Sequence, residues 1–236
     1  MAGLFRFLAF VVLLVSLLVF VVVPAVASPL LTQMVRDMGL EADDLRVSIG
    51  SFDPALLGGR TSELRIVGTN VLLTPATVEH LDLTFGDVSF IERTFATVRG
   101  QLSGVALSTG GVTLRVSSVQ VDGPAREARA TGHFSAEESE LLVRSAAERA
   151  GIRLDAVRFV AGGLRVNVGG LEAEVRVSVQ GGALVLDTGD GPPILLLQPA
   201  PAEPWRLSEA YVTSTGIAVN GLIDATRLTQ HLAGAP

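Results

Sequence analysis

Few residue types in this chain could carry chemistry. It holds 18 basic residues, all of them arginine, 24 acidic residues and 3 histidines, with no cysteine and no lysine. Thiolate and Schiff-base nucleophiles are thereby excluded, as are Walker A and Ser-x-x-Lys motifs. The string Gly100-Gln101-Leu102-Ser103-Gly104 has the wrong spacing for a serine nucleophile elbow. Gly189-Asp190-Gly191 runs into Pro192 and Pro193 where a dinucleotide-binding helix would have to open, so it reads as a turn. His80, His133 and His231 lie in unrelated contexts without paired spacing, so neither a metal nor a cofactor is expected. The acidic pairs Asp43-Asp44 and Glu137-Glu138 fall at a strand start and in a first helical turn, where solubility and helix polarity account for them. Carboxylates that meet only in space, as in a glycosidase, leave no linear signature. The residues point to a protein that is not an enzyme.

One arginine has binding chemistry in its setting. Arg60 follows Gly58-Gly59, and its guanidinium could meet a lipid phosphate bidentately or pair with Glu63. Arg153 and Arg206 occupy the same place in later copies of the repeat described next, which favours a structural role for all three. The net charge of −6 and the scatter of the arginines argue against a nucleic-acid partner, which needs a dense positive patch.

The elements that must position these residues are written as a repeat. A fourteen-residue phrase recurs four times: RTSELRIVGTNVLL from Arg60, QLSGVALSTGGVTL from Gln101, RLDAVRFVAGGLRV from Arg153 and RLSEAYVTSTGIAV from Arg206. Every copy is apolar at places five, seven, twelve and fourteen, and carries Asn70, Gly111, Gly163 or Gly216 at place eleven. Alternation buries one side chain in two. Asn or Gly at place eleven supplies the left-handed residue that ends a three-residue hairpin loop, so each copy is expected to be a β-hairpin. Between copies, Leu81, Leu83 and Phe85, and then Leu171, Ala173, Val175, Val177 and Val179, continue the alternation.

Two helices stand apart. Ser28-Pro29 opens one, with Leu30, Leu31, Met34, Val35 and Met38 as its stripe and Gly39 as its stop. Ser135 and Glu138 form a capping box for the other, which runs to Gly151. Each helix precedes two copies of the phrase, so the chain divides into pseudo-duplicated halves of about 28–132 and 133–236. The expected class is α+β: a curled, mainly antiparallel sheet of repeated hairpins with two short-to-medium helices. Two segments interrupt the pattern. Asp53 and Pro54 begin a single apolar turn at Leu56 and Leu57 that Gly58-Gly59 stops, and Ile194 to Leu197 lies between prolines as a buried edge strand or an exposed membrane-touching lip. The single Trp205 reads as a packed edge residue.

The N-terminus carries an export signal. After Arg6, Phe7 to Val23 is apolar except for Ser16, enough to span roughly 26 Å as a helix. Pro24 breaks it, and Ala25-Val26-Ala27 offers a cleavage site before Ser28. Residues 1–27 are therefore a signal peptide or an N-terminal membrane anchor, and the remainder is one extracytoplasmic domain of the periplasm or cell envelope. Without cysteine it has neither disulfides nor a lipid-bearing thiol.

The export signal, the short leading helix, then VSIGSFDPALLGGRTSELRIVGTNVLL and TVEHLDLTFGDVSF resemble the LmeA family of phospholipid-binding envelope proteins. The resemblance implies a tubular lipid-binding fold, in which a curled sheet wraps a helix around an apolar groove. It also implies phospholipid and the membrane surface as partners, in envelope lipid or lipoglycan maintenance. The Pro-rich stretch 192–204 departs from the family's pattern. On that reading the acyl-groove candidates are Leu31, Met34, Phe52, Leu56 and Leu57, together with Ile66, Phe85, Phe90, Leu142 and Phe159, and Arg60 is the head-group candidate. Each methylene buried would contribute roughly 0.8 kcal/mol, about 8 kcal/mol for ten before ordering costs. The alternative is an envelope scaffold with a fully packed β core and no ligand. Nothing in the sequence fixes the oligomeric state.

Overall fold

The computed structural model describes residues 42–50, 54–73, 76–109, 112–160, 162–189, 191–199 and 203–227. The expected export segment, the expected Ser28 to Gly39 helix, the Ala27-Ser28 junction and His231 lie outside the described residues.

Among the described residues thirteen strands form two antiparallel sheets. β1 (Asp44–Ile49), β2 (Arg60–Leu73), β3 (Ala76–Ser89), β4 (Thr97–Thr109), β5 (Val112–Pro124) and β6 (Ala128–Ser135) meander in order, each beside the last. Helix α1 (Ala136–Arg149) follows. β7 (Ala156–Val160), β8 (Gly163–Val168), β9 (Leu171–Gln180), β10 (Ala183–Asp187) and β11 (Ile194–Leu197) make a second meander. β12 (Trp205–Thr213) and β13 (Gly216–Ile223) then return to the first sheet, giving it the order β1-β2-β3-β4-β5-β6-β13-β12.

The α1 boundaries follow from their caps. Ser135 accepts from the Glu138 N–H at 3.3 Å, and the Glu138 carboxylate accepts from the Ser135 N–H at 2.9 Å. The same Glu138 oxygen takes the Ser117 hydroxyl at 2.9 Å, which ties the start of the helix to β5. At the other end Gly151 turns left-handed and Ile152 N–H returns to the Ala147 carbonyl at 2.8 Å. Leu142, Val143, Ala146 and Ala147 face inward against β13, β6, β5 and β11. They form the main core with Val71, Val78, Leu81, Val105 and Val116 of the first sheet and Leu164, Val175 and Leu184 of the second. Ser139 is fully buried there, accepting from Ile217 N–H at 3.0 Å and donating to the Phe134 carbonyl at 3.3 Å.

Three copies of the repeated phrase are hairpins, and the first is not. Copies two, three and four turn between Thr109 and Val112, Val160 and Gly163, and Thr213 and Gly216, each across two residues instead of the expected three. Gly163 and Gly216 thus open the returning strand. Gly216 is needed where it stands: a Cβ there would strike the Phe134 carbonyl of β6, so its smallness sets how closely β13 approaches. The first copy runs straight through as the whole of β2. Asn70 does adopt the expected left-handed backbone, φ 50°, but within the strand.

The reason lies in its neighbours. Thr69 pairs with His80, His80 with Ser103 and Ser103 with Ser118. Four polar doublets, Thr69-Asn70, Glu79-His80, Ser103-Gly104 and Ser117-Ser118, therefore lie side by side, and in each strand the buried residues shift phase across the doublet. Gly68 and Val71 are both buried, as are Val78 and Leu81. A one-residue step in a single strand would send its apolar side chains to the wrong face. The same step in four adjacent strands keeps every ladder in register and one face apolar throughout. The left-handed residues Asn70 and Gly104, at φ 50° and 61°, accommodate it in β2 and β4, and the Asn70 side-chain amide donates to Asp43 at 2.7 Å.

The expected halves are corrected in one respect. The fourth phrase, β12–β13, does not stay with the second-half meander; β13 pairs with β6 along its whole length, Ile223 opposite Ala128 to Gly216 opposite Ser135. Residues 216–219 are buried, so only a place inside the large sheet, with neighbours on both sides, satisfies the strand's backbone and its apolar side chains together. β11 is an edge strand, paired only with β10, with Leu196 buried and Leu195 outward. On β9 the alternation buries Val175 and Val177, but Leu171 and Ala173 are exposed because the strand's start runs past the packed region.

Candidate apolar site

The polar face of the long strands carries its own ion pairs. Arg65 and Asp82 meet at 2.6 Å, and Arg99 meets Asp122 at 2.7 Å. The Arg65 guanidinium, chiefly by its hydrogen bond, holds the Asp82 carboxyl below the usual carboxylate range, with burial opposing it.

The apolar face is different at its two ends. Beneath α1 it is filled. Toward the β3–β4 turn two further clusters continue it, one around Leu45, Val47, Leu64 and Val88, the other around Val98, Val121, Ala128 and Ala225. Phe85 and Phe95 pack against both, with ring centroids 4.9 Å apart and planes at 75°. Ile66, Leu83, Phe85, Phe90, Phe95 and Leu102 all sit on this stretch and all remain half-buried.

The turn itself is built from both sides. Ser89 and Thr94 exchange backbone hydrogen bonds at 2.8 and 3.1 Å, closing Phe90-Ile91-Glu92-Arg93. The Phe90 N–H donates to the Gly59 carbonyl at 2.8 Å, and Gly59 N–H to Leu56 at 3.0 Å, which seats the turn on the 3-10 turn Pro54–Gly58. That short helix matches the expected start at Pro54 and stop at Gly58-Gly59.

The acyl-groove candidates divide accordingly. Ile66, Phe85 and Phe90 come together in one cluster, and Leu56 is half-buried on the adjoining 3-10 turn. Leu142 is buried in the main core, and Phe159, half-buried on β7, packs against that core, as Ile66 also does. Leu31, Met34 and Phe52 lie outside the described residues, as does the Leu57 side chain. Phe95, Leu83 and Leu102 share the site without having been singled out. The sequence signal for Phe95 was the pair of phenylalanines, Phe90 and Phe95, bracketing one short turn. Arg60 pairs with Glu92 at 3.3 Å, not with Glu63, because Glu92 is carried across by the turn while Glu63 backs onto Gly50. Arg206 pairs with Glu127 at 2.9 Å.

Elsewhere, a depression of about 50 Å³ lies between β7, β8 and β9, lined by Ala156, Arg158, Arg165, Val166, Asn167 and Glu172. It is far below the roughly 300–1,000 Å³ of small-molecule sites. Among the described residues no three histidine or carboxylate side chains gather as a metal site. No protein-family model, no curated protein and no solved structure matches this chain.

Proposed function

We propose that this chain is an exported, non-enzymatic protein of the cell envelope that holds phospholipid acyl chains against the apolar face of its large sheet, at the end formed by β2, β3, β4 and the β3–β4 turn. One observation carries the reading: the continuous row of half-buried apolar side chains from Ile66 through Leu83, Phe85, Phe90, Phe95 and Leu102, beyond the strands on which α1 packs. Apolar surface left partly in water gains about 25 cal/mol for each Å² that a lipid chain covers. The resemblance to the LmeA family, the expected export segment and the absence of cysteine and lysine nucleophiles support the same reading. Arg60, tied to Glu92 in an exposed pair, remains the head-group candidate, since a phosphate can take over a guanidinium from a solvent-screened carboxylate at little cost.

The test is native mass spectrometry of the purified chain, paired with organic extraction. Reproducible co-purified phospholipid is the expected result. An empty protein that also fails to take up a fluorescent phospholipid would leave the packed-scaffold alternative.

A further inference from the structure

We infer that the four-residue turn Phe90-Ile91-Glu92-Arg93 is the part of the protein that enters a lipid bilayer, with Ile91 as the inserting side chain. The inference rests on the lipid reading above and adds to it the surface by which the domain meets the membrane.

Ile91 is 76% exposed at the outer end of the turn. It follows Phe90 in the chain, and Phe90 is half-buried with Phe85 and Phe95 against the cluster around Leu45 and Leu64, so the exposed residue adjoins that apolar stretch. Among the described non-glycine residues only Asn70, Asp87 and Arg93 are left-handed; Arg93, at φ 53°, ends this turn, and Asp87, at φ 50°, lies near the end of β3 that leads into it. Left-handed backbone costs on the order of 1 kcal/mol for an ordinary residue, so tertiary contacts must hold it. Ile91 lies across Gly59, where an added Cβ would meet the isoleucine side chain at 2.8 Å. The Phe90 bond to Gly59 and the Arg60–Glu92 pair complete the support. Arg60 and Arg93 beside an aliphatic tip with phenylalanines behind it is the composition of a membrane-interface segment, where guanidinium groups reach phosphates and apolar side chains enter the acyl boundary.

The two other aliphatics exposed by more than half lack this backing. Leu171, 77% exposed, follows the Gly169-Gly170 turn between charged strands whose neighbouring Ala173 is also in water. Leu141 stands singly on the outer face of α1.

The absence of cysteine makes the test direct. Ile91→Cys, Leu171→Cys and Leu141→Cys in the full chain are each labelled with an environment-sensitive nitrobenzoxadiazole probe and mixed with phosphatidylglycerol/phosphatidylethanolamine vesicles. All three sites are exposed, so folding is preserved. The probe at 91 should brighten several-fold and shift to the blue while those at 171 and 141 do not. Ile91→Glu should lower co-flotation of the mature domain with these vesicles by about tenfold. A probe at 91 that stays in water on vesicle-bound protein, or equal response at all three sites, overturns the inference. So does a blue shift without vesicles, which would assign the turn to a protein contact. Co-purified phospholipid with a water-exposed position 91 sinks the inference alone; loss of both lipid uptake and vesicle response sinks the underlying reading as well.

Discussion

The Phe95 ring stands edge-on to Phe85, 4.9 Å between centroids and 75° between planes, and this contact joins the two apolar clusters at the β3–β4 end of the large sheet. It comes from residues ten apart in sequence, brought together by one turn.

Removing either ring should therefore loosen that end of the sheet. Phe85→Ala and Phe95→Ala are each expected to lower unfolding free energy by about 1–3 kcal/mol, less than for fully buried phenylalanines. Urea denaturation of both single variants and the double variant should give a coupling of about 0.5–1.5 kcal/mol. Strict additivity would show that the rings do not stabilise one another.

Ser139 links helix to sheet through a fully buried hydroxyl. Ser139→Ala leaves the Ile217 N–H without its partner in a dry site and should cost about 1–3 kcal/mol. An unchanged urea midpoint would mean that another acceptor is within reach.

The phase step across β2 to β5 makes a conformational prediction. Asn70→Gly keeps the left-handed backbone and loses only the bond to Asp43, so its stability should stay within about 1 kcal/mol of the parent. Asn70→Val combines a β-branched side chain with φ 50° and should cost about 2 kcal/mol or more. Equal midpoints for the two variants would remove the left-handed requirement.

The Arg65–Asp82 pair sets a small pH dependence. Its hydrogen bond depresses the folded-state pKa of Asp82 below the unfolded value of about 3.9. A depressed pKa stabilises the fold fully above the unfolded value and loses that contribution as pH falls through the folded one. Asp82→Asn should be slightly less stable than the parent at pH 7, and the gap should close below about pH 4. A gap that persists unchanged into acid would assign the effect to packing.

Much of the architecture was legible because it is local. The Ser135-Glu138 box, the Gly151 stop and the Pro54 turn are each written within a few residues and formed where expected. The antiparallel class was legible from period-two alternation. What alternation cannot carry is pairing: it names a strand's faces and not its neighbour. Hence the first phrase was read as a hairpin. Its Thr69-Asn70 doublet has the chemistry of a turn, and only the aligned doublets at Glu79-His80, Ser103-Gly104 and Ser117-Ser118 show that the whole row steps together. Groove residues are harder to read in the same way, since apolarity marks a buried face without saying what covers it.

By itself the sequence determined composition-limited chemistry, the antiparallel strand class and the caps of α1 and the Pro54 turn, all consequences of residue type and short-range spacing. The tertiary structure alone decided that β13 inserts between β6 and β12, that α1 packs on β5, β6, β13 and β11, and that the apolar face toward Phe85, Phe90 and Phe95 is left half-covered. Those outcomes depend on which distant surfaces compete to cover one another, and burial is a property of the assembled pair of surfaces, not of either strand.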